Sequence, residues 1–477
     1  MSLDLSFAEQ RRISTAESIT AEAGQVFTPR VAAILLASML DLPDTKRLRI
    51  LDPGAGTGIL GAALVSLIRK ARAGTSVELV AVERDSRLIP ALGGTLHDVA
   101  SLANVNTSVI EADYLLDESG LLGNHEALDD PFDLVIMNPP YSKLAAGAPE
   151  RLALRQLGIE APNLYAAFMA LGLSQLRPGG QLVAIVPRSF MNGTYFESFR
   201  RFLLNRSALR RIHTFESRNT VFRDSGVLQE SVIVTLEAGG KPGPVDIGVS
   251  LTNDPVPHHY TVDYDKVVLP ADVHQFIRIP DEHGEDIPAD KTLAELGLSV
   301  ATGRVVDFRA RSYCLENSGD ETVPLIYPGN FDNGVITWPR AMKRQKPQHF
   351  DARDDFSRKQ VHAPGRYVIV KRFSAKEEPR RVVAAVWNGE GPIAFENKTN
   401  VIGPIPDAAV AIGLSIWLNS GPLDRLFRTF SGHTQVNAGD LRTLPIPDED
   451  TLRKWGCDRK PELLGQDEID RIVTEEA

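Results

Sequence analysis

Residues 48–58 read Leu-Arg-Ile-Leu-Asp-Pro-Gly-Ala-Gly-Thr-Gly. The apolar first half predicts a buried strand, and the glycines predict a tight turn that leads into a helix from about Ile59. Glycines at such a turn let the backbone approach a ligand closely, but the phosphate-binding pattern GxGxxG does not occur in its usual register, and GxxxxGK(S/T) is absent. Asp52 at the strand end would repel a pyrophosphate and attract an ammonium group. We therefore expect S-adenosylmethionine here rather than a dinucleotide.

Strands and helices alternate on both sides of this turn. Apolar runs typical of strands lie at residues 77–82, 107–110, 132–137 and 181–187, with helical stretches between them. A later run, residues 227–236, has the pattern of an antiparallel strand. This alternation predicts an α/β fold with a Rossmann-like sheet, mostly parallel and doubly wound, that ends in a late antiparallel strand.

Acidic side chains follow the second and third predicted strands. Glu83 ends the second strand, where an acid can accept hydrogen bonds from both hydroxyls of a ribose. Asp113 follows the third strand and could accept a hydrogen bond from an adenine amine, with Tyr114 packed beside the ring. These residues would complete a nucleoside site at the edge where the glycine turn lies.

Two further segments flank these motifs. Thr28 is predicted to cap a helix whose first turn contains Pro29. Tyr165 and Phe168 lie on an apolar helix and could line the cofactor pocket, but we favour the core for both because aromatic residues on such helices are usually packed inside.

The fourth predicted strand ends at Asn138-Pro139-Pro140-Tyr141. The prolines fix the backbone, which leaves an amide and an aromatic ring at the carboxyl edge of the sheet, where open α/β folds bind ligands. The side-chain oxygen of Asn138 and the backbone carbonyl of Pro139 can each accept an N–H of an amine on a planar ring, and Tyr141 can stack on that ring. Two such acceptors would free the nitrogen lone pair, so the motif favours methyl transfer by positioning rather than by a strong base.

Composition limits the class of protein. A chain of 477 residues is long enough for two to three domains, and two cysteines, Cys314 and Cys457, exclude a disulfide framework. The first thirty residues carry charges and no long apolar run, and no window reaches roughly eighteen uncharged apolar residues. We therefore expect a cytoplasmic protein that does not contact a membrane. We also expect no bound metal, because no cysteine or histidine residues have the spacing of zinc ligands.

Charge is distributed unevenly along the chain. The net charge is −10, yet the segment from Arg340 to Arg381 contains thirteen Lys and Arg against five Asp and Glu, a local excess of +8. A local basic surface can bind phosphates even on an acidic protein. A solvated surface of mixed charge is the alternative interpretation.

The sequence changes character near residue 240. The stretch Gly-Gly-Lys-Pro-Gly-Pro at residues 239–244 favours a boundary between a catalytic domain, 1–240, and a second domain, 241–477. The second half has short strands punctuated by glycine and proline, which predicts a mixed α+β domain. Its loop at residues 431–441 is rich in amide and hydroxyl groups, which could contact bases or phosphates or could simply form turns.

In this order, the motifs resemble those of the gamma group of N6-adenine-specific DNA methyltransferases from type II restriction–modification systems. The matching segments are residues 26–29, 52–58, 83, 113, 138–141, 163–165 and 176–180. The resemblance implies a class I methyltransferase domain followed by a DNA target-recognition domain, with S-adenosylmethionine as cofactor and double-stranded DNA as partner. It also allows for a cognate restriction endonuclease, and it implies that the adenine is flipped out of the duplex.

The resemblance also implies roles for individual residues. The implied cofactor contacts are Phe27, Thr28, Pro29, Asp52, Gly54, Gly56, Glu83, Asp113 and Tyr114. The implied catalytic residues are Asn138, Pro139, Pro140 and Tyr141, with Phe222 packed on the flipped base and Phe215 as the neighbouring candidate for that packing role.

Three other interpretations remain open at this point. The Asn-Pro-Pro-Tyr motif also occurs in methyltransferases that modify a protein glutamine or an RNA guanine, but those chains generally lack a large domain like residues 241–477. A fused restriction–modification enzyme is suggested by Glu396-Asn397-Lys398, which has the spacing of part of a nuclease motif. A non-catalytic DNA-binding specificity subunit is disfavoured by the intact motif at residues 138–141.

Overall fold

The computed structural model describes residues 5–18, 27–116, 126–156, 158–215, 231–250, 257–270, 272–280, 282, 289–342, 345–374, 378–430, 434–462 and 464–475. The chain divides into two compact units, Met1–Glu282 and His283–Ala477. Among the described residues, no helix is both long enough and apolar enough to cross a bilayer.

A nine-stranded sheet with the order β3-β2-β1-β4-β5-β7-β6-β8-β9 forms the centre of the first unit. Strands β3, β2, β1, β4 and β5 run parallel, and β7 is antiparallel to both β5 and β6. The strands are β1 Arg47–Pro53, β2 Ser76–Glu83, β3 Val105–Glu111, β4 Phe132–Met137, β5 Leu176–Pro187, β6 Ser207–Phe215, β7 Ser231–Ala238, β8 Val245–Ser250 and β9 His258–Val262. The predicted α/β sheet with a late antiparallel strand is thus confirmed.

Helices cover both faces of this sheet. Strand β4 shows why: Leu134 and Ile136 pack into one apolar cluster with the helices α2, α3 and α4, while Val135 and Met137 pack into another with α7 and α8. Alternate residues of a strand point to opposite faces, so a strand buried on both sides is apolar at nearly every position. The exception in β4 is the buried Asp133, which pairs with Arg177 at 2.9 Å. The helices of this unit are α1 Ser6–Ser18, α2 Arg30–Ser38, α3 Ile59–Ala71, α4 Ile89–Ala100, α5 Glu126–Asp129, α6 Pro149–Gln156, α7 Leu164–Ser174, α8 Glu197–Arg206 and α9 Tyr264–Val267.

The first compact unit extends beyond the boundary predicted at residue 240. Strand β8 pairs in parallel with β6, and β9 pairs with β8, so both belong to the first sheet. The glycine- and proline-rich stretch at residues 239–244 is the connection from β7 to β8 rather than a linker between units, and the first unit continues to Glu282.

The second unit contains two smaller sheets and a group of helices, the mixed α+β character that was predicted. The sheets have the orders β10-β20-β17-β18-β14-β13 and β11-β15-β12-β19-β16. The strands are β10 Val300–Thr302, β11 Cys314–Leu315, β12 Thr322–Ile326, β13 Phe331–Asp332, β14 Val335–Ile336, β15 His349–Asp351, β16 Val361–His362, β17 Gly365–Lys371, β18 Ala384–Gly389, β19 Ile393–Phe395 and β20 Thr399–Ile402. The helices are α10 Asp355–Arg358, α11 Ala408–Leu418, α12 Gly421–Phe430, α13 Ala438–Arg442, α14 Glu449–Gly456 and α15 Gln466–Glu475.

Helices α11 and α14 of the second unit touch backbone to backbone. A Cβ atom added to Gly413 would lie 1.9 Å from the carbonyl oxygen of Leu452, and one added to Gly456 would lie 1.9 Å from that of Ala409. Trp417 on α11 is fully buried, and its indole N–H donates to the carbonyl of Pro445, 3.0 Å away. Helix α14 therefore closes one side of α11.

Candidate active site

The glycine turn after β1 requires its glycines for two different reasons. Gly54, Gly56 and Gly58 have φ angles of 70°, 59° and 81°, in the left-handed region that disfavours other residues. A Cβ on Gly58 would lie 2.9 Å from the Cδ1 atom of Leu92, whereas a Cβ on Gly56 would have nothing within 4 Å. Gly58 is therefore packed against α4, and the backbone at Gly56 is open to a ligand.

This turn borders a cavity of about 190 Å³. Eight residues predicted to act in cofactor binding or catalysis line it: Phe27, Gly54, Gly56, Glu83, Asp113, Tyr114, Asn138 and Pro140. The structure thus brings together side chains that lie up to about a hundred residues apart in sequence, because parallel strands end at one edge of the sheet.

Glu83 and Asp113 stand at the carboxyl ends of adjacent strands, and the structure already engages both. Glu83 accepts a hydrogen bond from the backbone N–H of Gly56 at 2.8 Å, and its other oxygen accepts from the N–H groups of Arg84 and Asp85. Asp113 accepts from the N–H of Leu115 at 2.9 Å. These bonds orient the two carboxylates at the cavity wall.

Asp52 lies beneath the turn, and it is not among the residues that line the cavity. It is fully buried and accepts a hydrogen bond from the backbone N–H of Gly61 at 3.0 Å, while its Oδ1 atom has no hydrogen-bond partner among the described residues. Burial raises the pKa of Asp52 to about 8, and the nearby Glu83 carboxylate adds to the rise. Through its hydrogen bond with Gly61, Asp52 contacts the first turn of α3.

Aromatic rings form part of the cavity wall. Tyr114 is buried, donates its hydroxyl hydrogen bond to the side-chain oxygen of Gln175, and lies 5.1 Å, centroid to centroid, from the ring of Phe168. Phe168 lines the cavity, which was the less favoured of the two positions considered for it, whereas Tyr165 is 1% exposed and is a core residue as expected. Helix periodicity could not separate the two, since α7 is apolar on every face.

Sequence reasoning also missed several shorter or more polar residues of the wall, which are Val82, Arg84, Asp85, Ala112, Leu115, Ser142 and Leu164. Most of them directly follow or precede a predicted motif. Position beside a motif was therefore the only available signal for them.

The prediction that Thr28 caps α2 is wrong. Pro29 is the residue before the helix, and no side chain caps it. The Thr28 hydroxyl instead accepts a hydrogen bond from the side-chain Nδ2 of Asn138 at 2.8 Å, and Thr28 is 6% exposed. Phe27 lines the cavity, and Thr28 and Pro29 are not among the lining residues.

The amide of Asn138 is held at both ends. Nδ2 donates to Thr28, and Oδ1 accepts from the Tyr141 hydroxyl at 3.1 Å. The Tyr141 hydroxyl also lies 3.3 Å from the backbone oxygen of Ile185, and its ring packs edge-on against Tyr165 with a centroid distance of 6.2 Å. Burial raises the pKa of the Tyr141 phenol, so this group remains a proton donor at neutral pH.

The remaining predicted catalytic residues differ in their setting. Pro140 lines the cavity, and Pro139 is buried behind it. Phe222 lies outside the described residues. Phe215, the alternative aromatic, ends β6 and packs beside His213 with a ring-centroid distance of 5.1 Å.

The Glu396-Asn397-Lys398 segment of the second unit forms a turn. Glu396 is fully buried, accepts a hydrogen bond from the backbone N–H of Lys398 at 3.0 Å, and pairs with the Lys398 ammonium at 3.3 Å. Within the part of the chain that the structure describes, no group of three or more His, Cys, Asp or Glu is arranged to hold a metal ion.

The cavity fits S-adenosylmethionine chemically. Its wall offers two carboxylates for hydroxyl and amine donors, aromatic surface for a purine, and an open backbone at Gly56. Among its lining side chains the acids Glu83, Asp85 and Asp113 outnumber the single base, Arg84, which suits a cationic ligand better than a pyrophosphate.

Comparison with known proteins identifies the family. The model for the Eco57I restriction-modification methylase family matches residues 96–222. The type II methyltransferase M.BsuBI of Bacillus subtilis is 39% identical over 478 residues, covering 95% of this chain and 94% of that protein. The type II methyltransferase M.PstI of Providencia stuartii is 34% identical over 484 residues, covering 96% and 94%.

One solved structure, from Listeria monocytogenes, is described as a class I S-adenosylmethionine-dependent methyltransferase. It is 20% identical to this chain, the similarity covers 52% of this chain and 74% of that one, and the TM-score is 0.41. The parallel strands β3-β2-β1-β4-β5, with β7 antiparallel beside β5, give the first unit the class I methyltransferase fold. The methyltransferase relatives and the lining of the cavity together identify the cofactor as S-adenosylmethionine. Similarity to M.BsuBI runs through almost the whole length of both chains. Because the relatives that are 39% and 34% identical over at least 94% of both chains are type II methyltransferases, the chain belongs to the type II methyltransferases of restriction–modification systems.

Proposed function

We propose that this protein transfers a methyl group from S-adenosylmethionine to N6 of an adenine that is flipped out of duplex DNA. The observation that carries the proposal is that the Asn138 amide lines the same cavity as the glycine turn at Gly54 and Gly56. An amine acceptor and a methyl donor could therefore meet there, provided the base leaves the helical stack.

The amide geometry supports an acceptor role for Asn138. Because Nδ2 is engaged by Thr28, the oxygen is the end that remains turned towards Tyr141. An amide oxygen carries two lone pairs, so it can accept an amine N–H beside the Tyr141 hydroxyl. The backbone carbonyl of Pro139 would accept the second N–H.

Positioning accounts for the chemistry without a strong base. S-adenosylmethionine supplies a methyl group already activated by its sulfonium centre. Asn138 and Pro139 would hold the amine so that its lone pair points at that carbon, which lowers the barrier through orientation and fixed dipoles. As the new C–N bond forms, the C–S bond of the sulfonium breaks and leaves a neutral thioether, and the cationic methylated amine then loses its proton to water. The Tyr141 phenol does not accept this proton, because burial raises its pKa and keeps it protonated.

The second unit supports duplex DNA as substrate rather than a protein or an RNA. It comprises His283–Ala477, and the relatives named type II methyltransferases match the chain across that length. We propose that this unit reads the target sequence and that the first unit performs transfer.

The test is direct. The protein is incubated with duplex DNA and S-adenosylmethionine carrying a deuterated methyl group, and the DNA is digested to nucleosides for mass spectrometry. We expect label in N6-methyladenine, and an initial rate of labelling that is lower by on the order of 10²- to 10³-fold when Asn138→Ala replaces the wild type. Label in cytosine, or in protein glutamine with none in DNA, would contradict the proposal.

A further inference from the structure

Four loops of the second unit are joined into one continuous platform by backbone hydrogen bonds. The loop platform consists of residues 303–310, 371–374, 395–399 and 434–436. Gly303 N–H donates to Thr399 at 2.9 Å and Val305 N–H to Phe395 at 3.0 Å, which ties the first loop to the third. Arg372 N–H donates to Lys398 at 2.9 Å, which ties the second loop to the third.

The fourth loop joins in the same way. The N–H of Ser374 donates to the carbonyl of Thr434 at 3.0 Å, and the N–H of Val436 donates to the carbonyl of Arg372 at 2.8 Å. The backbone of this surface is therefore ordered before any partner arrives. A pre-ordered surface loses less conformational entropy on binding than mobile loops do.

The loop platform presents two exposed aromatic rings. Phe308 is 72% exposed and Phe373 is 46% exposed. Each has a guanidinium close to its ring: Arg309 lies 5.5 Å from the Phe308 centroid and Arg372 lies 5.8 Å from the Phe373 centroid. Large exposed apolar side chains are costly in water and are typical of binding surfaces.

The platform is also basic. Its charged residues are Arg304, Asp307, Arg309, Lys371, Arg372, Glu396 and Lys398, five cations against two anions. Glu396 is buried against Lys398, and Asp307 pairs with Lys346 at 2.7 Å, so the exposed charge is mainly positive. Aromatic rings interleaved with cations suit duplex DNA, since the rings can contact thymine methyl groups in a groove or wedge between base steps, and the cations neutralise phosphates.

Resting on the proposed function, we propose that the loop platform is the face of the second unit that meets the target duplex, with Phe308 and Phe373 contacting bases and Arg309 contacting a phosphate. Arg309 is a better probe of phosphate contact than its neighbours on the platform. Lys371 is half-buried over the ring of Phe331, and Arg372 donates to the carbonyl of Asn397 at 3.2 Å, so substitutions there would disturb the fold as well.

The experiment measures affinity for two duplexes with the full-length chain: one with the site found by sequencing modified DNA from an expressing host, and one without it. Phe308→Ala and Phe373→Ala should each weaken binding to the site duplex by about 5- to 150-fold, the usual effect of losing one specific base contact, and weaken binding to the other duplex less. Arg309→Gln should weaken both and reduce the salt-dependence slope by about one.

The matched control is Phe356→Ala. Phe356 is 58% exposed but lies on α10, outside the loop platform. Each variant is first shown to bind S-adenosylmethionine as the wild type does. Phe308 or Phe373 variants that bind the site duplex as tightly as Phe356→Ala would overturn the inference, as would a change confined to the oligomeric state.

The two proposals fail separately. A wild-type chain that methylates no adenine in DNA rejects the proposed function, and the inference falls with it. A wild-type chain that methylates adenine, with phenylalanine variants indistinguishable from the control, rejects the inference alone.

Discussion

Replacing Thr28 with valine tests whether this residue acts through Asn138 or through the cofactor. The Thr28 hydroxyl and the Asn138 Nδ2 are 2.8 Å apart although 110 residues separate them in sequence. Valine has nearly the same shape as threonine and lacks only the acceptor. We therefore expect Thr28→Val to keep the packing of α2 and to release one end of the Asn138 amide.

The size of the effect follows from the single bond that is lost. A hydrogen bond of this kind contributes about 0.5 to 1.5 kcal/mol, and ~1.4 kcal/mol corresponds to a tenfold change in rate. If the bond keeps the amide oxygen aimed at the amine, its loss should lower kcat by about 2- to 13-fold. S-adenosylmethionine affinity should change little, since Thr28 is not among the residues that line the cavity.

The assay is single-turnover methylation of a site duplex at saturating cofactor, together with a separate measurement of cofactor Kd. Thr28→Ser, which keeps the hydroxyl, should retain nearly the wild-type rate. A valine variant whose transfer rate at saturation equals that of the wild type, with a weakened cofactor Kd, would refute the positioning role and return Thr28 to the cofactor contacts.

Other substitutions have equally defined outcomes. Asn138→Ala should lower kcat by on the order of 10²- to 10³-fold, as expected for a lost electrostatic contact to the reacting group, with cofactor Kd nearly unchanged; an equal loss of cofactor affinity would exclude that role. Burial raises the pKa of Asp52 to about 8, so the folded chain keeps a proton that the unfolded chain loses near pH 4. The free energy of unfolding should therefore decrease as the pH rises from about 4 to about 8. Asp52→Asn should remove this pH dependence, which urea unfolding at pH 5 and pH 8.5 would measure. A pH dependence that is unchanged in the variant would show that another group causes it. Gly58→Ala should destabilise the protein by about 2 to 4 kcal/mol, through backbone strain and the clash with Leu92, as measured by urea unfolding. Gly56→Ala should cost about 1 kcal/mol of strain and mainly weaken cofactor binding, which calorimetry would show; the opposite order of stabilities would contradict the packing described.

The sequence predicts most of the first unit because its signals are local. Residues 132–137 are apolar except for Asp133 and occupy β4 with the bounds expected, and the helix expected from Ile59 begins at that residue. Both depend on neighbouring residues alone, through burial on two faces and the glycines that end the strand. The side chains at the strand ends follow from the same topology, since parallel strands present their carboxyl ends together.

Contacts between distant segments were not predictable in this way. The bond between Thr28 and Asn138 depends on where α2 packs, and neither local pattern contains that information. Strands β8 and β9 continue the sheet after a segment that has the composition of a linker. Edge strands join a sheet through backbone pairing, which does not depend on the composition of the segment before them. The core was favoured for Phe168 because α7 is apolar all round, so its sequence does not show which residue faces the cavity.

The glycine contact between α11 and α14 has a consequence for the order in which the second unit can form during synthesis. Gly413 and Gly456 are 43 positions apart in the sequence, and the contact between the helices leaves no room for a side chain at either position. A ribosome that has released α11 but not α14 exposes Trp417 and its neighbours to the surrounding solution. Chaperone binding to nascent chains stalled between these two helices should therefore be stronger than to chains stalled after α14.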